Sequence, residues 1–143
     1  MNIRIPKTIR HPKAFKDSKP ANFDGIFDWS FLIPAFKGTK IQPTDIDCVV
    51  ERNMKVLFLE TKQPNKEVPL GQCILLENLI LIGKGSIRVV VVYGKTVESI
   101  SGMELWVYKN GEVKKEATFC SWQHVLQTVS SWFVWANNSY RGN

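Results

Sequence analysis

Carboxylates and an amine gather within residues 44–64, TDIDCVVERNMKVLFLETKQP, which carry Asp45 and Asp47 near one end and Glu60-Thr61-Lys62 near the other. Between them, 45–51 alternates through Ile46, Cys48 and Val50, while 56–61 is strongly apolar, so both read as strands. Asn53-Met54 is the turn: Asn tolerates the left-handed backbone that a two-residue hairpin loop needs, although Met lacks the freedom of the usual Gly. Arg52 then faces Lys55, and counting back sets Asp47 opposite Glu60 and Asp45 opposite Lys62. Directly opposed Cβ atoms lie about 4.5–5.5 Å apart, so the two acids repel unless something positive lies between them. Glu60 and Lys62, two apart on one strand, share a face, which puts an ammonium beside the pair. Magnesium prefers such oxygen ligands, keeps several waters and takes one or two carboxylates together with substrate phosphates. A phosphate-bearing substrate is therefore expected. The competing view makes these residues solvated pairs on an exposed sheet face. Against it, a strand apolar on both faces that ends abruptly in Glu-Thr-Lys should be buried at one end and open at the other, and open sheet ends are where α/β sites sit.

The elements that must position these groups follow from periodicity. Phe23, Ile26, Phe27 and Phe31 keep helical spacing that Pro34 should end. Residues 69–82 are nearly all apolar between a helix-starting Pro69 and a stop at Gly83, which predicts a buried helix. Gln72 shares a face with Leu75, Leu76 and Leu79, so its amide packs toward the sheet and needs a partner, either local backbone or a group near the acids. The β-branched run IRVVVVY, 87–93, reads as a central strand in βαβ order, hence a mixed sheet. Asn110-Gly111 between alternating segments predicts an outer hairpin. Val125, Leu126, Val129, Trp132, Phe133 and Ala136 form a last helix after a Ser121 cap. Tyr93 and the tryptophans are expected to fill the core or the outer sheet, and His124 to be structural.

At 143 residues the chain has the size of one ordinary domain. Its net charge of +6 is concentrated in residues 1–20, where Arg4, Lys7, Arg10, Lys13, Lys16 and Lys19 face only Asp17. Such an arm is either a solvated tail or a segment drawn to phosphates. We divide the chain into this arm, 1–20, and one domain, 21–143. Cys48, Cys73 and Cys120 are widely spaced without a CxxC, which argues against a disulfide framework or structural zinc. No leader-like or bilayer-length apolar stretch is present, so a cytoplasmic protein without a membrane partner is expected.

The ordered set of Asp47, a strand, Glu60-Thr61-Lys62 and a helix beginning PLGQ resembles the core of the PD-(D/E)XK nuclease superfamily. The resemblance covers residues 43–93. Asp47 matches the first acid, Glu60-x-Lys62 the acid-x-Lys, and Gln72 the helix glutamine of RecB-like members. The lead-in Pro43-Thr44-Asp45-Ile46-Asp47 departs from the family's pattern, so Asp45 competes with Asp47, although spacing prefers Asp47. Many members add an acid from the first helix, for which Asp24 and Asp28 are both available. The resemblance implies an α/β fold with a central mixed sheet flanked by helices, a restriction-endonuclease-like αβββαβ core. It also implies metal-dependent DNA endonuclease activity: Asp47, Glu60 and the backbone carbonyl of Thr61 holding Mg²⁺ or Mn²⁺, Lys62 acting on water or the phosphorane, Gln72 supporting the site, and the arm gripping DNA backbone. The small size suits a homodimer or reliance on a partner protein. The rivals are a catalytically idle nucleic-acid-binding module that keeps the nuclease fold, and a metal-dependent enzyme acting on nucleotides, which would not need the basic arm.

Overall fold

The computed structural model describes residues 28–138, and the chain divides into two compact units, Met1–Asp45 and Ile46–Asn143. In the first unit a short 3₁₀ helix spans Trp29–Phe36, capped by Asp28, whose Oδ1 accepts from the Ser30 N–H at 3.0 Å. Pro34 lies inside this helix and does not end it. The stop comes at Lys37, which turns left-handed (φ 51°) and bonds back to the Pro34 carbonyl. Phe23, Ile26 and Phe27 lie outside the described residues, as do Asp24 and the six basic residues of the arm.

The second unit is an α/β sandwich around one five-stranded mixed sheet in sequential order: β1 (Cys48–Arg52), β2 (Lys55–Lys62), β3 (Ile87–Tyr93), β4 (Gly102–Lys109) and β5 (Glu112–Phe119). Helix α1 (Leu70–Gly83) joins β2 to β3, the one parallel pair, and α2 (Trp122–Asn138) ends the described chain. The β1–β2 hairpin has the expected register. Arg52 pairs with Lys55 across Asn53 and Met54, both left-handed at φ 51° and 65°. That is the conformation of a turn whose twist matches the strands it joins. Asn53 also donates from Nδ2 to the Ala136 and Asn137 carbonyls at 3.1 and 3.2 Å, which ties the turn to the last turn of α2, where carbonyls lack helical partners. The Asn110-Gly111 turn joins β4 and β5 as predicted.

Successive side chains of β3 serve opposite faces, which is why its sequence is apolar without a break. Val89 and Val91 pack with Leu76 and Ile80 of α1 and with Trp106, whereas Val90 and Val92 pack with Leu57 and with Trp132 and Ala136 of α2. The helix predicted to be buried is buried along one stripe only. Gln72, Leu76 and Ile80 face the sheet, while Leu70, Ile74 and Ile82 remain exposed, because a single sheet covers only one side of a helix. Strand β1 is exposed along its whole length, as an edge strand. Among the described residues no helix is long and apolar enough to cross a membrane.

Candidate functional site

The ladder places Cys48 against Leu59, so Asp47 meets Glu60 one step further on. Asp47 stands one residue beyond the end of the paired ladder, close enough to Glu60 for its charge to act on that carboxyl. The parity of β2 orients Thr61. Lys62 receives the Gly94 N–H on its carbonyl, so even-numbered residues of β2 bond toward β3 and Thr61 turns toward β1. There its N–H donates to Asp47 Oδ2 at 2.8 Å and its hydroxyl to the same oxygen at 3.0 Å. The Thr61 carbonyl therefore lies on the Asp47 side of the strand, with Oδ1 of Asp47 not used in these bonds.

Glu60 is 2% exposed, Gln72 2% and Lys62 8%, whereas Asp47 and Thr61 are exposed. The strand end expected to be open is thus open only on the Asp47 side. Gln72, from the first turn of α1, donates from Nε2 to Glu60 Oε2 at 2.5 Å, so the acid is a partner of this buried amide. Burial first, and then the neighbouring charge of Asp47, push the Glu60 carboxyl up to about 7, opposed by the cation of Lys62. A pair in this state holds a proton near neutrality or else a cation. Among the described residues no three His, Cys, Asp or Glu side chains cluster as a ready-made metal cage. The acids are two, which suits an ion that completes its shell with water and substrate oxygens. On that chemistry Asp47, Glu60 and the Thr61 carbonyl fit a hard divalent cation.

The remaining candidates have surroundings of their own. Asp28 caps the 3₁₀ helix in the first unit. Asp45 closes that unit, outside β1, with a buried Oδ1 that has no hydrogen-bond partner, and the paired ladder stops at Cys48 without reaching Asp45 and Lys62. The three cysteines are free. His124 sits at the start of α2 with its Nδ1 3.4 Å from the Ser121 N–H, a structural position.

Two residues acquire a meaning that sequence reasoning missed. Tyr93, expected as filler, is only half-buried and donates its hydroxyl to Glu104, and together they line an open cleft of about 730 Å³ beside loop 64–68. Glu104 alternates with Trp106 and Tyr108 on one face of β4, and an acid on that aromatic face was the available signal. The acid pair itself does not line the cleft. Trp106 and Trp132 are core residues as expected, whereas Trp135 lies beneath Arg88, at 4.0 Å, and Lys55, at 5.1 Å. No family model, curated protein or solved structure matches this chain.

Proposed function

We propose that this chain is a metal-dependent nuclease that hydrolyses DNA phosphodiester bonds, with a PD-(D/E)XK-type site carried on a ββαβββα unit in place of the αβββαβ order that the resemblance implies. The observation that carries the reading is the packing of Glu60 against Asp47 with Gln72 and Lys62 around it, three of these four polar side chains buried where a fold would otherwise place apolar ones. Burying charge without compensation is costly. A fold that keeps two carboxylates close together uses them to hold something positive.

Asp47, Glu60 and the Thr61 carbonyl would hold Mg²⁺ or Mn²⁺, an ion that polarises a phosphoryl oxygen and lowers the pKa of bound water. Gln72 fixes one oxygen of Glu60. Thr61 does the same for Asp47 through its N–H and hydroxyl. Lys62, on the Glu60 face and largely shielded from solvent, sits where an ammonium offsets charge gathering on the phosphate, and low local dielectric strengthens that effect. The basic residues of 1–20 would hold DNA backbone without reading bases.

Incubation of the purified chain with supercoiled plasmid, linear duplex and a four-way junction, each with Mg²⁺, Mn²⁺ or EDTA, tests the reading. Metal-dependent nicking or cutting that stops in EDTA is expected, while cleavage that persists in EDTA, or none with either metal, counts against it.

A further inference from the structure

The cleft lined by Tyr93 and Glu104 has no part in holding the cation, yet it adjoins the acid pair. Glu60, Val91 and Glu104 form one row across β2, β3 and β4 on the α1 face. Two strand spacings put Glu104 roughly 10 Å from Glu60. That is within reach of a nucleotide next to one whose phosphate the acids would hold. The walls suit a base. Phe119 stands at the rim with 98% of its surface exposed, Trp106 forms part of the lining, and the Lys115 ammonium lies 4.0 Å over the Trp106 ring. An exposed aromatic is a platform for stacking, which any base can use.

The polar end is more selective. Burial and the neighbouring Glu104 keep the Tyr93 phenol protonated well above its ordinary range, so it remains a donor to Glu104. A carboxylate only accepts, and with one site taken by Tyr93 the remaining acceptor capacity calls for a donor from the ligand. Cytosine offers an exocyclic amine there and thymine offers a carbonyl oxygen.

We propose that this cleft holds one unstacked base of the DNA strand, stacked on Phe119 and donating an exocyclic amine to Glu104, so that the chain prefers cytosine to thymine beside the cleaved phosphate. The proposal rests on the DNA substrate argued above and extends it to single-stranded or locally opened DNA. The test is fluorescence anisotropy of the full chain with short oligo-dC and oligo-dT in EDTA, at about 0.2 M salt to suppress non-specific backbone binding. Oligo-dC should bind at least about tenfold more tightly, the discrimination of one good base contact. Glu104→Gln, which adds a donor, should bring the two affinities to within about twofold. Phe119→Ala, which removes a side chain too exposed to support the fold, should weaken both by about tenfold and keep their ratio. Equal binding of both oligonucleotides by the parent, binding of neither, a ratio that survives Glu104→Gln, or affinities unmoved by Phe119→Ala each overturn it. The two readings separate when the same oligonucleotides are then incubated with the chain in Mg²⁺ without EDTA: a cytosine preference without cleavage removes the nuclease and keeps the cleft, and cleavage without base preference does the reverse.

Discussion

Glu60 is buried beside a second carboxylate, so its protonation decides how stable the metal-free fold is. Its value rises from 4.5 to about 7 on folding. Between those limits the folded chain keeps a proton that the unfolded chain has released. The contribution of Glu60 to metal-free stability is therefore fully present below pH 4.5 and is lost as pH rises through about 7, on the order of 3 kcal/mol in all. Urea unfolding in EDTA across this window should show that decline in the parent and a nearly flat profile in Glu60→Gln, whose amide carries no charge at any pH. Parallel profiles would mean that the acid is not what the burial makes it. Lys62 offers a different separation. Lys62→Ala leaves both carboxylates, so Mn²⁺ affinity by calorimetry should hold while single-turnover cleavage slows by about a hundredfold, the loss usual for one preorganised electrostatic group. Cleavage at the parental rate would reduce Lys62 to a charge-balancing partner of the acids.

The elements hold these residues through two devices that can be tested by themselves. The β1–β2 turn sets the register that brings Asp47 to Glu60, and it does so with Met54 at φ 65°, a conformation that costs a side-chain-bearing residue about 1–2 kcal/mol. The Met54 side chain is 67% exposed and contributes little packing. Met54→Gly should therefore raise stability by roughly 0.5–1 kcal/mol, after the greater chain entropy that Gly loses on folding. Chemical denaturation reads this directly, and a destabilised variant would show that the methionine packs. The second device is the seat of α1 on the sheet. Ile80 is fully buried among Leu76, Val89, Val91 and Trp106, and Ile80→Ala should cost about 2–5 kcal/mol through lost burial and the cavity left behind. Because Gln72 rides on the same helix, this variant should also lose cleavage activity at temperatures where the rest of the fold persists.

At the scale of the whole molecule the charge is lopsided, with six cationic residues in 1–20 against one acid. If that segment contacts phosphates, deleting residues 1–19 should weaken DNA binding and flatten its dependence on salt, since each lost contact releases about one counterion fewer. Unchanged affinity and slope in the truncated chain would make the arm a bystander to DNA binding.

The sequence alone carried the hairpin and its register as far as Cys48 opposite Leu59, because strand pairing across a two-residue turn is a local count and a slip of one residue would reverse every side chain. It also carried the central strand, the Asn110-Gly111 hairpin and the sheet-facing side of α1, all of which follow from periods of two and 3.6 within a single segment. Pro34 misled, because a rule for α-helix interiors does not mark the end of a short 3₁₀ segment. Three features were decided only by tertiary packing. Gln72 bonded to Glu60, Lys62 became buried, and Tyr93 with Glu104 came to line a cleft near the acids. Each depends on which strand lies beside which and how deep a helix seats against them, and residues such as Gln72 and Glu60, or Tyr93 and Glu104, are brought together by that folding and not by any spacing along the chain.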